Sequence, residues 1–193
     1  MAAEPLRIVA FGDSLTAGLG LSEKDAFPVK LEAALKAKGH DVEVINAGVS
    51  GDTASGGLAR LDWSVPDKVD AVILELGAND ALRGTEPAAT RKALDDTIRR
   101  LKSRDIPVLL AGMQAPRNMG PDYIAAFDRI YPELAAEHGV LFYPFFLDGV
   151  AAQSQFNQRD GIHPTADGVD VIVRGILPYV EKLIAEARAN RKN

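Results

Sequence analysis

The chain has 193 residues, of which 47% are hydrophobic and 25% charged, the balance of a soluble globular protein with a sizeable core. Its net charge is −5 and its one basic cluster is the short tail of Arg188, Arg191 and Lys192, which argues against nucleic acid as a partner. Cysteine is absent, which excludes disulfides, thiolate catalysis and cysteine-ligated metals, and no run approaches the roughly 18 apolar residues of a membrane span.

The N-terminus shows no basic region followed by an apolar one. The expected compartment is periplasmic if a leader was removed ahead of the Ala2, Ala3, Glu4, Pro5 stretch, and cytoplasmic otherwise. Residues 6–11 are mostly apolar, with two β-branched side chains, and predict a buried strand that stops at Gly12. Phe27, Leu31, Ala34 and Leu35 then keep helical spacing, and Gly39 closes that helix. Residues 42–45 predict a second strand, running into a glycine-containing turn that ends in Asp52 and Thr53, good residues to cap the helix of Leu58 and Leu61.

Residues 71–76 predict a third strand, followed by Gly77, Ala78, Asn79 and Asp80. Pro87 opens a helix with Leu94, Ile98 and Leu101 on one face. The fourth strand is 108–111, and the helix from Tyr123 to Leu134 is expected to kink or split near Pro132. Residues 140–143 predict the fifth strand. A long irregular segment over 144–165 follows, a length that in compact domains often marks function. The chain closes with helical pattern at Val169 and Val173, an interruption before Pro178, and a last helix through Leu183 and Ile184. Alternating strands and helices predict α/β architecture: a three-layer α/β/α sandwich on a five-stranded parallel sheet in flavodoxin-like order 2-1-3-4-5, with residues 1–193 as one domain.

In such sheets ligands bind at the carboxyl ends of the strands. That edge receives Ser14 from the first strand and His163 from the loop after the fifth. His40 and His138 sit at helix ends, where a cation is favoured for structural reasons. His163 instead lies in Asp160, Gly161, Ile162, His163, Pro164, with proline holding its backbone extended. An aspartate three residues before a loop histidine can accept from one ring N–H, which leaves the other nitrogen as a base for a hydroxyl. Gly51 offers a backbone N–H, Asn79 an amide and Ser14 its own N–H, three donors suited to an oxyanion. Asp13 and Asp80 are expected to hold loop backbone rather than to react. A nucleophile elbow, a Walker loop and a metal-ligand cluster are all missing from the sequence.

Four blocks resemble, in order, those of the SGNH or GDSL hydrolases: Gly12 to Leu15, the Gly51 turn, Gly77 to Asp80, and Asp160 to His163. The stretches around Asn46 to Thr53, Leu58 to Leu61, Glu75 to Gly77 and Pro144 to Phe146 resemble the thioesterase I/protease I/lysophospholipase branch, arylesterases included. The resemblance implies Ser14 as nucleophile, His163 as base, Asp160 as its orienter, and Ser14 N–H, Gly51 N–H and the Asn79 side chain as the oxyanion hole. It implies hydrolysis of acyl or aryl esters and thioesters without a cofactor or metal. Expected substrates are small acyl or aryl esters, drawn by apolar loop residues Leu82, Met113, Pro116, Met119, Phe145, Phe146, Leu147, Val150 and Phe156. Of these, Phe145 and Phe146 have core packing as their simpler reading. Alternatives are a carbohydrate O-deacetylase or acyltransferase on the same scaffold, and a non-catalytic phosphate- or flavin-binding module. Oligomeric state is left open.

Overall fold

A computed structural model describes residues 4–191, so Ala2, Ala3 and Lys192 lie outside the described residues. Five parallel strands form one sheet in the order β2-β1-β3-β4-β5. They are β1 (Leu6–Gly12), β2 (Val42–Gly48), β3 (Ala71–Glu75), β4 (Val108–Ala111) and β5 (Leu141–Tyr143). The middle strands are buried on both faces, which is why β3 and β4 read as unbroken apolar runs rather than alternating ones.

Helix α1 (Ser14–Ala17) follows β1 directly. Helix α2 (Phe27–Ala37) packs on α8 (Ala166–Asn190) over one face of the sheet. Helices α3 (Ala54–Ser64), α5 (Pro87–Ser103), α6 (Pro121–Asp128) and α7 (Ile130–His138) make the other layer, with the short α4 (Ala78–Leu82) after β3. The core lies between these layers. It includes Phe11, Phe27, Phe127, Tyr131 and Phe146, with Phe27 and Phe146 edge to face at 5.0 Å.

Three expectations are corrected. The chain does not break before Pro178: α8 runs through it as one helix. A proline there forfeits a hydrogen bond, but Val173, Ile176, Val180, Leu183 and Ile184 on both sides are buried, and their packing holds the helix together. The split in the predicted 123–134 helix falls at Arg129, not at Pro132. Helix α7 starts at Ile130, so Pro132 sits in its first turn, where a missing N–H costs nothing. Strand β2 runs three residues beyond the predicted 42–45, because Asn46, Ala47 and Gly48 pair in register with Ala10, Phe11 and Gly12.

The register places the carboxyl ends of β2, β1 and β3 side by side, with Gly12 opposite both Gly48 and Glu75. A Cβ at Gly12 would lie 2.2 Å from Thr16 Oγ1 and 2.5 Å from Glu75 Oε2. Glycine is needed at this position by close approach, and the approach brings Ser14 down onto the sheet.

Candidate active site

Ser14 is the first residue of α1, and Asp13 is its N-cap, with Asp13 Oδ1 accepting from Leu15 N at 2.9 Å. This turns the serine side chain toward the loop after β5, and Ser14 Oγ lies 2.9 Å from His163 Nε2. On the other side of the ring, His163 Nδ1 lies 2.6 Å from Asp160 Oδ2. Asp160 Oδ1 also accepts from the backbone N–H groups of Ile162 and His163, at 2.9 and 3.0 Å. Those backbone bonds, followed by the imidazole, push the Asp160 carboxyl down to about 2. An ionised acceptor assigns the ring proton to Nδ1, which leaves Nε2 to accept from the serine hydroxyl.

The 144–165 segment is held by side chains that the sequence reading did not single out. Asn157 Nδ2 donates to Val150 O and Gln153 O, at 2.7 and 2.9 Å. Gln158 Nε2 donates to Leu19 O at 2.8 Å and Pro164 O at 2.9 Å, and Gln158 N to His163 O at 2.7 Å. Gln158 therefore ties the histidine loop to the segment after Ser14. Lone amides in a loop carry no sequence signal for such a role.

Gly51 sits in the left-handed region at φ +85°, in the turn between β2 and α3. Among the described residues the N–H groups of Ser14 and Gly51 have no hydrogen-bond partner. The peptide after Gly51 is fixed by Arg83, whose Nη2 donates to Gly51 O at 2.9 Å. Arg60 anchors the same turn: it donates to Asp52 Oδ2 at 2.5 Å, Ala47 O at 3.0 Å and Gly12 O at 2.9 Å. Its guanidinium also lies over the Phe11 ring, 4.3 Å from the centroid. Asn79 Nδ2 donates to Asp52 O at 2.9 Å and to Asp13 Oδ2 at 3.2 Å. Asn79 thus sits between the turn that carries Gly51 and the residue before Ser14.

The two motif aspartates bind backbone. Asp80, buried, accepts from Ala54 N at 2.8 Å and Thr90 Oγ1 at 3.0 Å, which pins the starts of α3 and α5. Asp13 is also buried, and burial pushes its carboxyl up to about 6 against the bonds from Leu15 and Asn79.

The expected apolar rim is corrected. Met113 and Val150 are in the core, as is Phe146, for which core packing was the simpler reading. The large apolar side chains exposed on the loops that carry the site are Leu19, Val49, Leu82 and Ile162. Each stands within five residues of Ser14, Gly51, Asn79 or His163. Trp63 is 88% exposed on α3, away from those loops in the sequence.

Residues 10–171 match the family model of the GDSL-like lipase/acylhydrolases. Esterase TesA of Pseudomonas aeruginosa is 39% identical over 184 residues, covering 95% of this chain and 90% of that protein. Thioesterase 1/protease 1/lysophospholipase L1 of Escherichia coli is 38% identical over 178 residues, covering 92% and 84%. The crystal structure of AlinE4, described as an SGNH-hydrolase family esterase, superposes with a TM-score of 0.80 at 46% identity, covering 94% of this chain and 98% of that one. The chain belongs to the GDSL-like, or SGNH, lipase/acylhydrolase family.

Proposed function

We propose that the chain, as one hydrolase domain, cleaves acyl or aryl esters and thioesters through an acyl-serine at Ser14. The observation that carries this is the unbroken run from Ser14 Oγ through His163 to Asp160, at 2.9 and 2.6 Å. Family membership supports the reaction class, and the activities for which relatives are named, esterase and thioesterase among them, support the substrate class.

His163 Nε2 takes the hydroxyl proton as Ser14 Oγ attacks the carbonyl carbon. The negative charge that develops on the carbonyl oxygen is met by Ser14 N–H and Gly51 N–H. Asn79 supplies a third donor by releasing Asp13, the longer of its two bonds. His163 then gives its proton to the leaving alkoxide or thiolate. In the second half it takes a proton from water, whose oxygen attacks the acyl-serine, and returns that proton to Ser14. Asp160 stays ionised throughout and stabilises the imidazolium. No step calls for a metal or cofactor.

The exposed Leu19, Val49, Leu82 and Ile162 favour an acyl chain or aryl group as the part of the substrate held outside the reacting bond. A fluorophosphonate probe tests the nucleophile, with covalent labelling expected of the wild type and not of Ser14→Ala. A panel of p-nitrophenyl esters and acyl-CoAs of graded chain length tests the substrate class. Acetylated oligosaccharides cleaved far faster than any of these would replace it with carbohydrate deacetylation.

A further inference from the structure

Glu75 closes β3 directly beneath the turn that presents Ser14. It is fully buried and lies opposite Gly12 in the sheet register. Its two oxygens are used unequally. Oε2 accepts from Thr16 Oγ1 at 2.7 Å and from Asp13 N at a longer 3.4 Å. Among the described residues Oε1, which is buried, has no partner. Among the described residues Glu75 takes part in no ion pair, and the nearby guanidinium of Arg60 is committed to Asp52, Ala47 O, Ser64 and Gly12 O.

Two titratable groups face it, Asp13 from the β1–α1 junction and Tyr131 from α7, whose phenol donates to Leu76 O at 2.9 Å. Asp52, in the turn before α3, and His163, in the last loop, face Asp13 in turn. Two buried carboxyls so close to one another do not both ionise. Asp13 accepts from Leu15 N and Asn79 Nδ2 and faces His163, so it is the better seat for the charge. A buried anion with a bare oxygen and no cation is far costlier than a neutral acid with one unused O–H. Burial, then the Asp13 charge, push Glu75 well above the usual carboxyl range, in the same direction.

We propose that Glu75 is a positioning residue of the acyl-transfer site, a proton-bearing carboxyl that grips both ends of the Asp13–Thr16 turn and leaves Asp13 as the only anion there. The inference rests on Ser14 being the nucleophile. Its physical sense is electrostatic. The turn needs an acceptor under it to hold Thr16 and the Asp13 N–H. A second negative charge under the oxyanion donors would oppose the charge they stabilise.

The test combines infrared spectroscopy with kinetics on the full chain. At pH 8, where Asp13 is ionised, the wild type should show the C=O stretch of a protonated carboxylic acid, and E75Q should lack it. Glutamine copies the neutral acid, so E75Q should keep kcat and KM for a p-nitrophenyl ester within about threefold. E75L fills the space without an acceptor and should lose kcat by roughly tenfold or more with little change in KM, as expected of a displaced nucleophile. No acid band at pH 8, or a band that survives in E75Q, overturns the proposal. So does E75Q losing as much kcat as E75L, or E75L keeping all of it. If E75L does not fold, the band and the kcat of E75Q decide alone. Ser14→Ala separates the two readings: if that variant stays active the nucleophile is wrong, while the band still reports where the proton is.

Discussion

Two histidines of this chain stand in the same relation to a carboxylate. His163 Nδ1 lies 2.6 Å from Asp160, and His138 Nε2 lies 2.6 Å from Asp95. The His138 pair is the more buried, with side-chain exposures of 10% and 14% against 17% and 45%. What separates them is what else each can reach. His138 ends α7, ahead of the amino end of β5, and its aspartate also pairs with Arg99 at 3.2 Å. His163 has a second nitrogen against a serine hydroxyl, at the edge where two backbone N–H groups have no partner among the described residues. A histidine–carboxylate pair is therefore a common structural device, and it becomes a candidate catalytic one only when the fold brings a nucleophile and oxyanion donors to the remaining nitrogen.

Removing the proposed nucleophile has the largest expected effect. Ser14→Ala should lower kcat/KM by on the order of 10⁴-fold or more, and His163→Ala by a similar factor. Because the two act as a unit, the double variant should be no worse than either single one, measured with a p-nitrophenyl ester. Multiplying losses would mean that the 2.9 Å contact does not carry the reaction. Next in size is Asn79→Ala, expected to cost about 10² to 10³ in kcat, the usual loss for one oxyanion donor. A loss confined to KM would instead make Asn79 a brace between Asp13 and Asp52 only.

The acid side of the pH profile sharpens the contrast further. Asp160, at about 2, stays charged at every pH where the protein would be assayed, so the dyad itself contributes no acid limb from its carboxylate. Protonation of Asp13 at about 6 does, because it weakens the hold on the Leu15 N–H that starts α1. The fall of kcat/KM below pH 5 should therefore be steeper in the wild type than in Asp13→Asn. Asp13 also bears on stability. Its folded value is raised from 3.8, so the folded state binds the extra proton and stability declines as pH rises from about 4 to about 6. Denaturant titrations across that window should show a shallower decline in Asp13→Asn than in the wild type, the remainder coming from Glu75, whose carboxyl burial also raises.

Much of this arrangement was readable from the chain alone, for specific reasons. Apolar runs ended by Gly12, Gly77 and the Gly51 turn mark strand ends, and the right-handed crossover rule then leaves few topologies. The order 2-1-3-4-5, expected by analogy with other five-stranded doubly wound folds, is the order observed. Ser14, His163 and Asp160 stood out because the serine sits on one strand-end loop and the aspartate and histidine together on another of the same edge, and the structure brings them into hydrogen-bond contact. Helices α1 and α4 were not readable, since four or five residues are too few to show a 3.6-residue period. Pro178 misled because a local rule about proline was outweighed by packing along both sides of α8. Met113 and Val150 were misplaced because an apolar residue in an irregular segment carries no periodicity to say which way it faces. Glu75 left a signal that was passed over: one carboxylate among five strand residues, the other four of them apolar.

The smallest expected effect lies on the other side of the comparison. His138→Ala removes a part-buried hydrogen bond to Asp95, but Asp95 keeps Arg99, so no bare charge is left behind. A bond of that kind contributes on the order of 1 kcal/mol. In a chain of this size that corresponds to a drop in Tm of about 2–4 °C. Esterase activity should be unchanged, because the residue lies at the far end of α7 from the strand-end loops. Thermal unfolding and a p-nitrophenyl ester assay on the same preparation separate the two readings. If activity falls with His138→Ala as it does with His163→Ala, the difference between the dyads is not the nucleophile, and the carboxyl edge of the sheet loses its claim to be the only place where this chain does chemistry.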